Sequence, residues 1–177
     1  MFSHRHHTKA YVSIGSNLGD RAGNLLLAVR GMTEAALCVS RLSSIYETEP
    51  VSEIRQPPFL NMVVEVANPL PTPEQVMARL LRIEYVLGRT REAKDGPRTI
   101  DLDLLFYGEL EKHTEFLMLP HPRLHQRRFV LEPLVEIAPH LVHPTLNCTA
   151  CELLEKTTDE SAVRMWSSKH AFTDVLV

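Results

Sequence analysis

The sequence predicts an α+β fold, a ferredoxin-like sandwich in which an antiparallel sheet carries packed helices on one face. Three observations lead there. Hydrophobic periodicity switches between strand and helix along the chain in the order β-α-β-β-α-β. Two segments carry sharp helix-start signals, a capping aspartate at Asp20 and the run Thr72-Pro73-Glu74-Gln75. No internal repeat, low-complexity block or linker divides the 177 residues. One domain over 1–177 is therefore expected, with a core over about 9–157 and a flexible N-terminal tail over 1–8.

The elements follow in order. Lys9 to Ile14 alternates toward β and runs into GSNLGD, where Gly15 and Gly19 make a tight exit and Asp20 caps a helix. That helix places Leu25, Leu26, Val29, Met32 and Ala36 at helical spacing. Cys38 to Thr48, rich in Val, Ser, Ile and Tyr, reads as a second strand. The proline-rich loop EPVSEIRQPP leads into the strand FLNMVVEVANP, with Asn61 near its start. Thr72 and Gln75 then offer a capping box with Pro73 at the first helical position. This helix runs through Met77, Leu80, Leu81 and Ile83 to a C-terminal Gly88. An irregular basic loop, Arg89 to Arg98, precedes the strand in KDGPRTIDLDLLFYG. The block LPHPRLHQRRFVLEPLVEIAP reads as a turn and an apolar helix from about Pro122 to Ile137. Beyond His140 a short helix is expected around Cys151 to Lys156.

With 44% hydrophobic and 23% charged residues, the composition is that of an ordinary soluble protein. The apolar runs are far too short to span a bilayer, and MFSHRHHTK lacks the apolar stretch of a secretion signal. No membrane partner is expected, and the cytoplasm is the default compartment. A net charge of −3 argues against a nucleic-acid partner. Basic residues nevertheless gather in two places. Arg89, Arg91, Lys94 and Arg98 precede the aspartates of the last strand; His121, Arg123, His125, Arg127 and Arg128 follow them. That pattern suits a small anionic ligand. Cys38, Cys148 and Cys151 make no disulfide framework, and the lone C-x-x-C has no second pair to complete a zinc site.

Asp101 and Asp103 are one position apart on a strand, so both carboxylates share a face, while Ile100, Leu102 and Leu104 face the other way. Three readings stay open at this point: a solvated surface face, salt bridges to the nearby arginines, or joint coordination of a divalent metal. The rigid apolar setting, the Gly-Pro-Arg turn and the flanking basic loops favour the metal, and hard oxygen ligands suit magnesium. Any nucleotide would be held without a P-loop, since neither G-x-x-x-x-G-K-[ST] nor a strand-following G-x-G-x-x-G occurs. Phe59 and Asn61 project from one strand face, and Phe129 opens an apolar helix. These are core residues or the walls of a pocket, in which two rings would stack on a flat heterocycle and the amide would read its polar edge.

The run KDGPRTIDLDLL resembles the signature of the 6-hydroxymethyl-7,8-dihydropterin pyrophosphokinases of folate biosynthesis. The likeness extends over nearly the whole chain in the family's order, through AYVSIGSNLGDR, SSIYETEPV, QPPFLNMVVEV, IEYVLGRTR and LPHPRLHQRRFVLEPLVEIAP. The resemblance implies transfer of pyrophosphate from ATP to the pterin hydroxymethyl group, with release of AMP. It implies Asp101 and Asp103 as ligands of magnesium, two ions being expected. It implies Thr48, Val51, Phe59, Asn61 and Phe129 around the pterin. Arg89, Arg91 and Arg98 are the implied catalytic arginines; Glu84, Arg98, His121 and Arg127 are implied around the nucleotide. ATP and the hydroxymethyl pterin are the expected partners, and a monomer the expected state. Asp95 and Pro122 stand where some members have tryptophan and tyrosine, which bears on adenine packing and loop closure and not on the metal seat. Two rival classes remain. A magnesium-dependent phosphohydrolase using the same Asp pair would release phosphate from ATP without any pterin. The other is a catalytically silent pterin-binding module, against which the intact D-x-D and its arginines argue.

Overall fold

A computed structural model describes residues 8–50, 55–89 and 96–167. The chain runs β1 (Ala10–Ser16), α1 (Arg21–Glu34), β2 (Cys38–Leu42), β3 (Tyr46–Thr48), β4 (Phe59–Ala67), α2 (Pro73–Val86) and β5 (Asp101–Tyr107). It continues with a short β6 (Lys112–His113) and β7 (Met118–Leu119), a 3-10 turn at Leu124–Gln126, and α3 (Arg128–Ile137). Then come β8 (Val142–His143), β9 (Cys148–Thr149), α4 (Ala150–Lys156) and β10 (Val163–Met165). The main sheet has the order β10-β3-β4-β1-β5, with β2 also paired to β4, and its pairs are antiparallel.

Strand alternation divides the core in two. Val12 and Ile14 of β1, Leu60, Met62 and Val64 of β4, and Leu102 and Leu104 of β5 face α1 and α2, where Leu25, Ala28, Met32, Leu80 and Ile83 meet them. Tyr11, Val63, Leu105 and Phe106 face the other way, against Val130, Leu131 and Leu134 of α3 and Leu153 of α4. The helices of the expected β-α-β-β-α-β unit thus lie on one face, and the chain after β5 adds a second helical layer on the opposite face. A bulge helps: Val12 pairs with Leu104 but Tyr11 with Phe106, so Leu105 and Phe106 both reach the second core.

Local chemistry explains most boundaries. Asp20 Oδ1 accepts from Gly23 N at 3.0 Å, and Thr72 and Gln75 form the expected reciprocal box at α2. Four expectations need correction. Gly15 lies inside β1, and the turn before α1 rests on Gly19, whose φ of +65° suits glycine. The inward face of α1 is Leu25, Ala28 and Met32; Leu26 is exposed, and Ala36 lies beyond the helix end at φ 55°. Cys38 to Thr48 is two strands, because Ser43 breaks the run: its N–H bonds Val63 O at 2.9 Å while its hydroxyl accepts from Val63 N at 2.9 Å. Finally, α3 begins at Arg128 and not near Pro122, since Arg127 is extended at φ −124° after the 3-10 turn. Cys38, Cys148 and Cys151 are free thiols. No described helix is long and apolar enough to cross a membrane.

Candidate active site

Strand register assembles the site from residues far apart in sequence. Tyr46 on β3 pairs with Asn61 on β4, Asn61 with Gly15 on β1, and Gly15 with Asp101 on β5. One row of the sheet thus carries an amide at one end and a carboxylate at the other, with backbone between. Ser13 occupies the next row, between Val63 and Asp103. These positions share the face covered by α3, so the site sits where the sheet is flanked by the start of that helix.

Asn61 is buried, and its Nδ2 donates to Thr48 Oγ1 at 2.7 Å, which aims the amide. Phe59 and Phe129 are half-buried, and each carries an arginine over its ring: Arg98 Cζ lies 5.7 Å from the Phe59 centroid and Arg127 Cζ 5.5 Å from that of Phe129.

The two aspartates differ in their surroundings. Asp101 Oδ1 meets Arg89 Nη2 at 2.7 Å, and its Oδ2 accepts from Arg98 Nη1 at 2.6 Å. Burial and the neighbouring Asp103 charge push the Asp101 carboxyl above its ordinary range, against the pull of Arg98 and Arg89. Asp103 is freer, with its side chain 35% exposed, Arg127 Nη1 at 3.8 Å and His121 Nε2 at 3.9 Å. Burial, helped by Arg127 and Arg123, lowers the His121 pKa to about 4, so the imidazole is neutral at pH 7. Burial and Arg123 lower Arg127 as well. Glu84, buried on α2, pairs with Arg89 and accepts from Leu102 N at 2.7 Å. Burial raises its pKa.

Glu84, Arg89, Arg98, His121 and Arg127 therefore gather around the aspartate pair, and Thr48, Phe59 and Asn61 line the β3–β4 side. Val51 and Arg91 lie outside the described residues, as does the loop 90–95 with Asp95. Two further residues belong to the site. Gly15 forms its floor; a Cβ there would stand 2.7 Å from Asn61 Oδ1. Asn17 Oδ1 accepts from Arg98 N at 2.7 Å while its Nδ2 reaches Gln56 and Pro57, so the GSNLGD loop clamps the backbone of Arg98. An asparagine between two glycines at the exit of a strand was the sequence signal available for it.

Among the described residues no group of three or more His, Cys, Asp or Glu forms a metal cage. The available donor set is the Asp101 and Asp103 carboxylates, hard oxygens on one strand face at the rim of the site. Magnesium is commonly held in this way, by one or two carboxylates with water and substrate phosphates completing the shell. The residues fit that ion and do not fit a closed structural zinc site.

Comparison with known proteins gives a concordant result. Residues 11–139 match the family described as 7,8-dihydro-6-hydroxymethylpterin-pyrophosphokinase. The chain is 43% identical over 166 residues to the 2-amino-4-hydroxy-6-hydroxymethyldihydropteridine pyrophosphokinase of Bacillus subtilis, covering 90% of this chain and 91% of that protein. It is 42% identical over 149 residues to the folic acid synthesis protein fol1 of Pneumocystis carinii, of which it spans 20%. Among solved structures, a Plasmodium falciparum HPPK-DHPS with pterin and p-hydroxybenzoate superposes with a TM-score of 0.64 at 18% identity. That match covers 88% of this chain and 42% of the longer one, and it speaks for the fold.

Proposed function

We propose a mechanism on one premise: the chain belongs to the 7,8-dihydro-6-hydroxymethylpterin-pyrophosphokinase family. It transfers pyrophosphate from ATP to the hydroxymethyl group of 6-hydroxymethyl-7,8-dihydropterin in folate biosynthesis, giving the pterin diphosphate and AMP. The observation that carries the site assignment is the row Asn61–Gly15–Asp101. It sets an amide two strand spacings, about 10 Å, from a carboxylate, a span suited to a bicyclic ring whose hydroxymethyl arm reaches the phosphates.

In this reading the pterin lies on the Gly15 backbone between Phe59 and Phe129, and Asn61, aimed by Thr48, pairs with its polar edge; Val51 supplies backbone contact. The triphosphate enters between the aspartates and their basic neighbours. Its oxygens take over Arg89 and Arg98 from Asp101, and Arg127 and the neutral His121 meet it beside Asp103. The hydroxyl oxygen attacks the β-phosphorus and gives up its proton to solvent, the bond from the β-phosphorus to the α-phosphate oxygen breaks, and AMP leaves with that oxygen. Arg89, Arg91 and Arg98 stabilise the negative charge spread over the transferring group. Asp101 and Asp103 would hold magnesium, two ions in the fullest form of the proposal, supplying further neutralisation of phosphate charge. Glu84 keeps Arg89 oriented from α2. We also read 1–177 as one pyrophosphokinase domain, working as a monomer in the cytoplasm, where free thiols such as its three cysteines persist.

The test is AMP formation from ATP with magnesium, with and without the hydroxymethyl pterin. AMP is expected only with pterin, and phosphate release without it would support a phosphohydrolase instead. Asp101→Asn and Asp103→Asn are expected to abolish turnover. Asp103→Asn, at the more loosely paired carboxylate, should not lower the melting temperature because it relieves like-charge crowding, whereas Asp101→Asn also weakens the pairing of Arg89 and Arg98. Either variant retaining more than a few per cent of the rate would remove the pair from the metal seat.

A further inference from the structure

Arg127 and Phe129 flank the first residue of α3, and the residue before that helix provides no side-chain cap. The cap comes from elsewhere. Arg128 N donates to Asp159 Oδ2 at 2.8 Å, from a segment that follows α4. Asp159 is itself fixed: its Oδ1 accepts from Ser161 N at 3.0 Å, and its N–H donates to Thr157 Oγ1 at 3.3 Å. Four residues after Asp159, β10 pairs with β3, Val163 opposite Thr48 and Met165 opposite Tyr46. Trp166 N then donates to Ile45 O at 2.8 Å, and the indole packs against the first core. One short segment, 159–166, thus ties the start of α3 to the strand whose Thr48 aims Asn61. It lies beyond residue 139, where the match to the family ends.

We propose that Asp159 is a positioning residue for the reaction: by holding Arg128 N–H it fixes the first turn of α3, and with it the Arg127 guanidinium and the Phe129 ring. The inference rests on the function proposed above. An orphan N–H at a helix start is satisfied by the carboxylate, whose charge also opposes the positive end of the helix. The fold does not depend on this contact, because Val130, Leu131 and Leu134 anchor α3 by burial. What depends on it is the aim of two side chains that burial holds only in part: both are half-buried at the rim of the site, Phe129 packing at the margin of the second core. Groups preorganised in this way lose rate when their support loosens, even where the chain stays folded.

The experiment compares Asp159→Ala, Asp159→Asn and, as a matched control, Thr72→Ala, which removes the cap of α2 away from the aspartate pair. Two quantities are read: amide exchange over residues 128–131 in the ligand-free protein, and kcat/KM for the pterin in AMP formation. Asp159→Ala is expected to speed exchange in that turn and to lower kcat/KM about three- to tenfold, the size of one lost helix cap. Asp159→Asn keeps an acceptor oxygen and is expected to recover part of both, which also serves if the alanine variant folds poorly. Thr72→Ala is expected to lower the melting temperature while leaving kcat/KM and the 128–131 exchange unchanged. Unchanged exchange in both Asp159 variants overturns the proposal. So does faster exchange with kcat/KM as in the control, because Asp159 would then be a structural cap alone. A wild-type chain that forms no AMP defeats the function reading, and the exchange comparison still decides whether Asp159 holds α3.

Discussion

Gly15 is the residue where geometry is least forgiving, since a methyl group there would stand 2.7 Å from Asn61 Oδ1. Gly15→Ala should therefore displace the amide, and it should reproduce in part the loss caused by Asn61→Ala. That loss is expected at about 1–3 kcal/mol of pterin affinity, the cost of an unpaired polar edge. Nucleotide affinity should change little in either variant, and calorimetry with each ligand checks this; equal losses for both ligands would contradict the assignment. Asn61 was legible from its two-residue spacing to Phe59. Gly15 read as a turn glycine, because its partner across the sheet is set by register, which no local window of sequence displays. The aspartate pair was legible as a shared face, but not the division between its members. Asp101 is tightly paired with Arg89 and Arg98, whereas Asp103 is more exposed and more loosely paired.

Glu65 holds three strands together. Its carboxylate, nearly buried, accepts from Tyr11 Oη on β1 at 3.0 Å, Ser40 Oγ on β2 at 2.8 Å, and Lys9 Nζ at 3.0 Å. Ser40 is the extra residue of a bulge, for Val39 pairs with Val66 and Arg41 with Glu65. Burial alone would raise the Glu65 pKa, but the hydrogen bonds from Ser40, Lys9 and Tyr11 prevail and lower it. A depressed carboxylate contributes stability that is present above its unfolded pKa, about 4.3, and is lost as pH falls through the lower folded value. Glu65→Gln should accordingly be less stable than the parent at neutral pH, with the gap closing in the acid range below the unfolded value. Denaturant titrations across pH test this, and parallel curves for the two proteins would exclude the network as a source of acid sensitivity. Elements of several periods, such as α1, α2, β4 and β5, were legible from sequence. The two-residue strands and the break at Ser43 were not, because a run shorter than one repeat carries no periodicity.

At the scale of the whole molecule, the site lies where three layers meet, and Arg89 is the side chain that joins two of them. It pairs with Glu84 on α2 and with Asp101 on β5, and among these Glu84 is the costly partner. The Glu84 side chain is 3% exposed, with Leu102 N as its other hydrogen-bond donor. Arg89→Ala would leave that charge buried without its cation, a change that typically costs about 3–5 kcal/mol. Turnover should fall as well, since the same guanidinium is assigned to the phosphates. The two losses can be separated. Adding Glu84→Gln removes the stranded charge, so the double variant should regain most of the stability and none of the activity. The pH dependence gives a second check. Burial already raises the Glu84 pKa, and losing Arg89 raises it further. The penalty of a raised carboxylate falls away as pH drops through its folded value, where the group protonates, so Arg89→Ala should approach the parent in stability toward acid. A double variant as unstable as Arg89→Ala, or a stability gap that widens toward acid, would show that Arg89 holds the layers together through something other than Glu84.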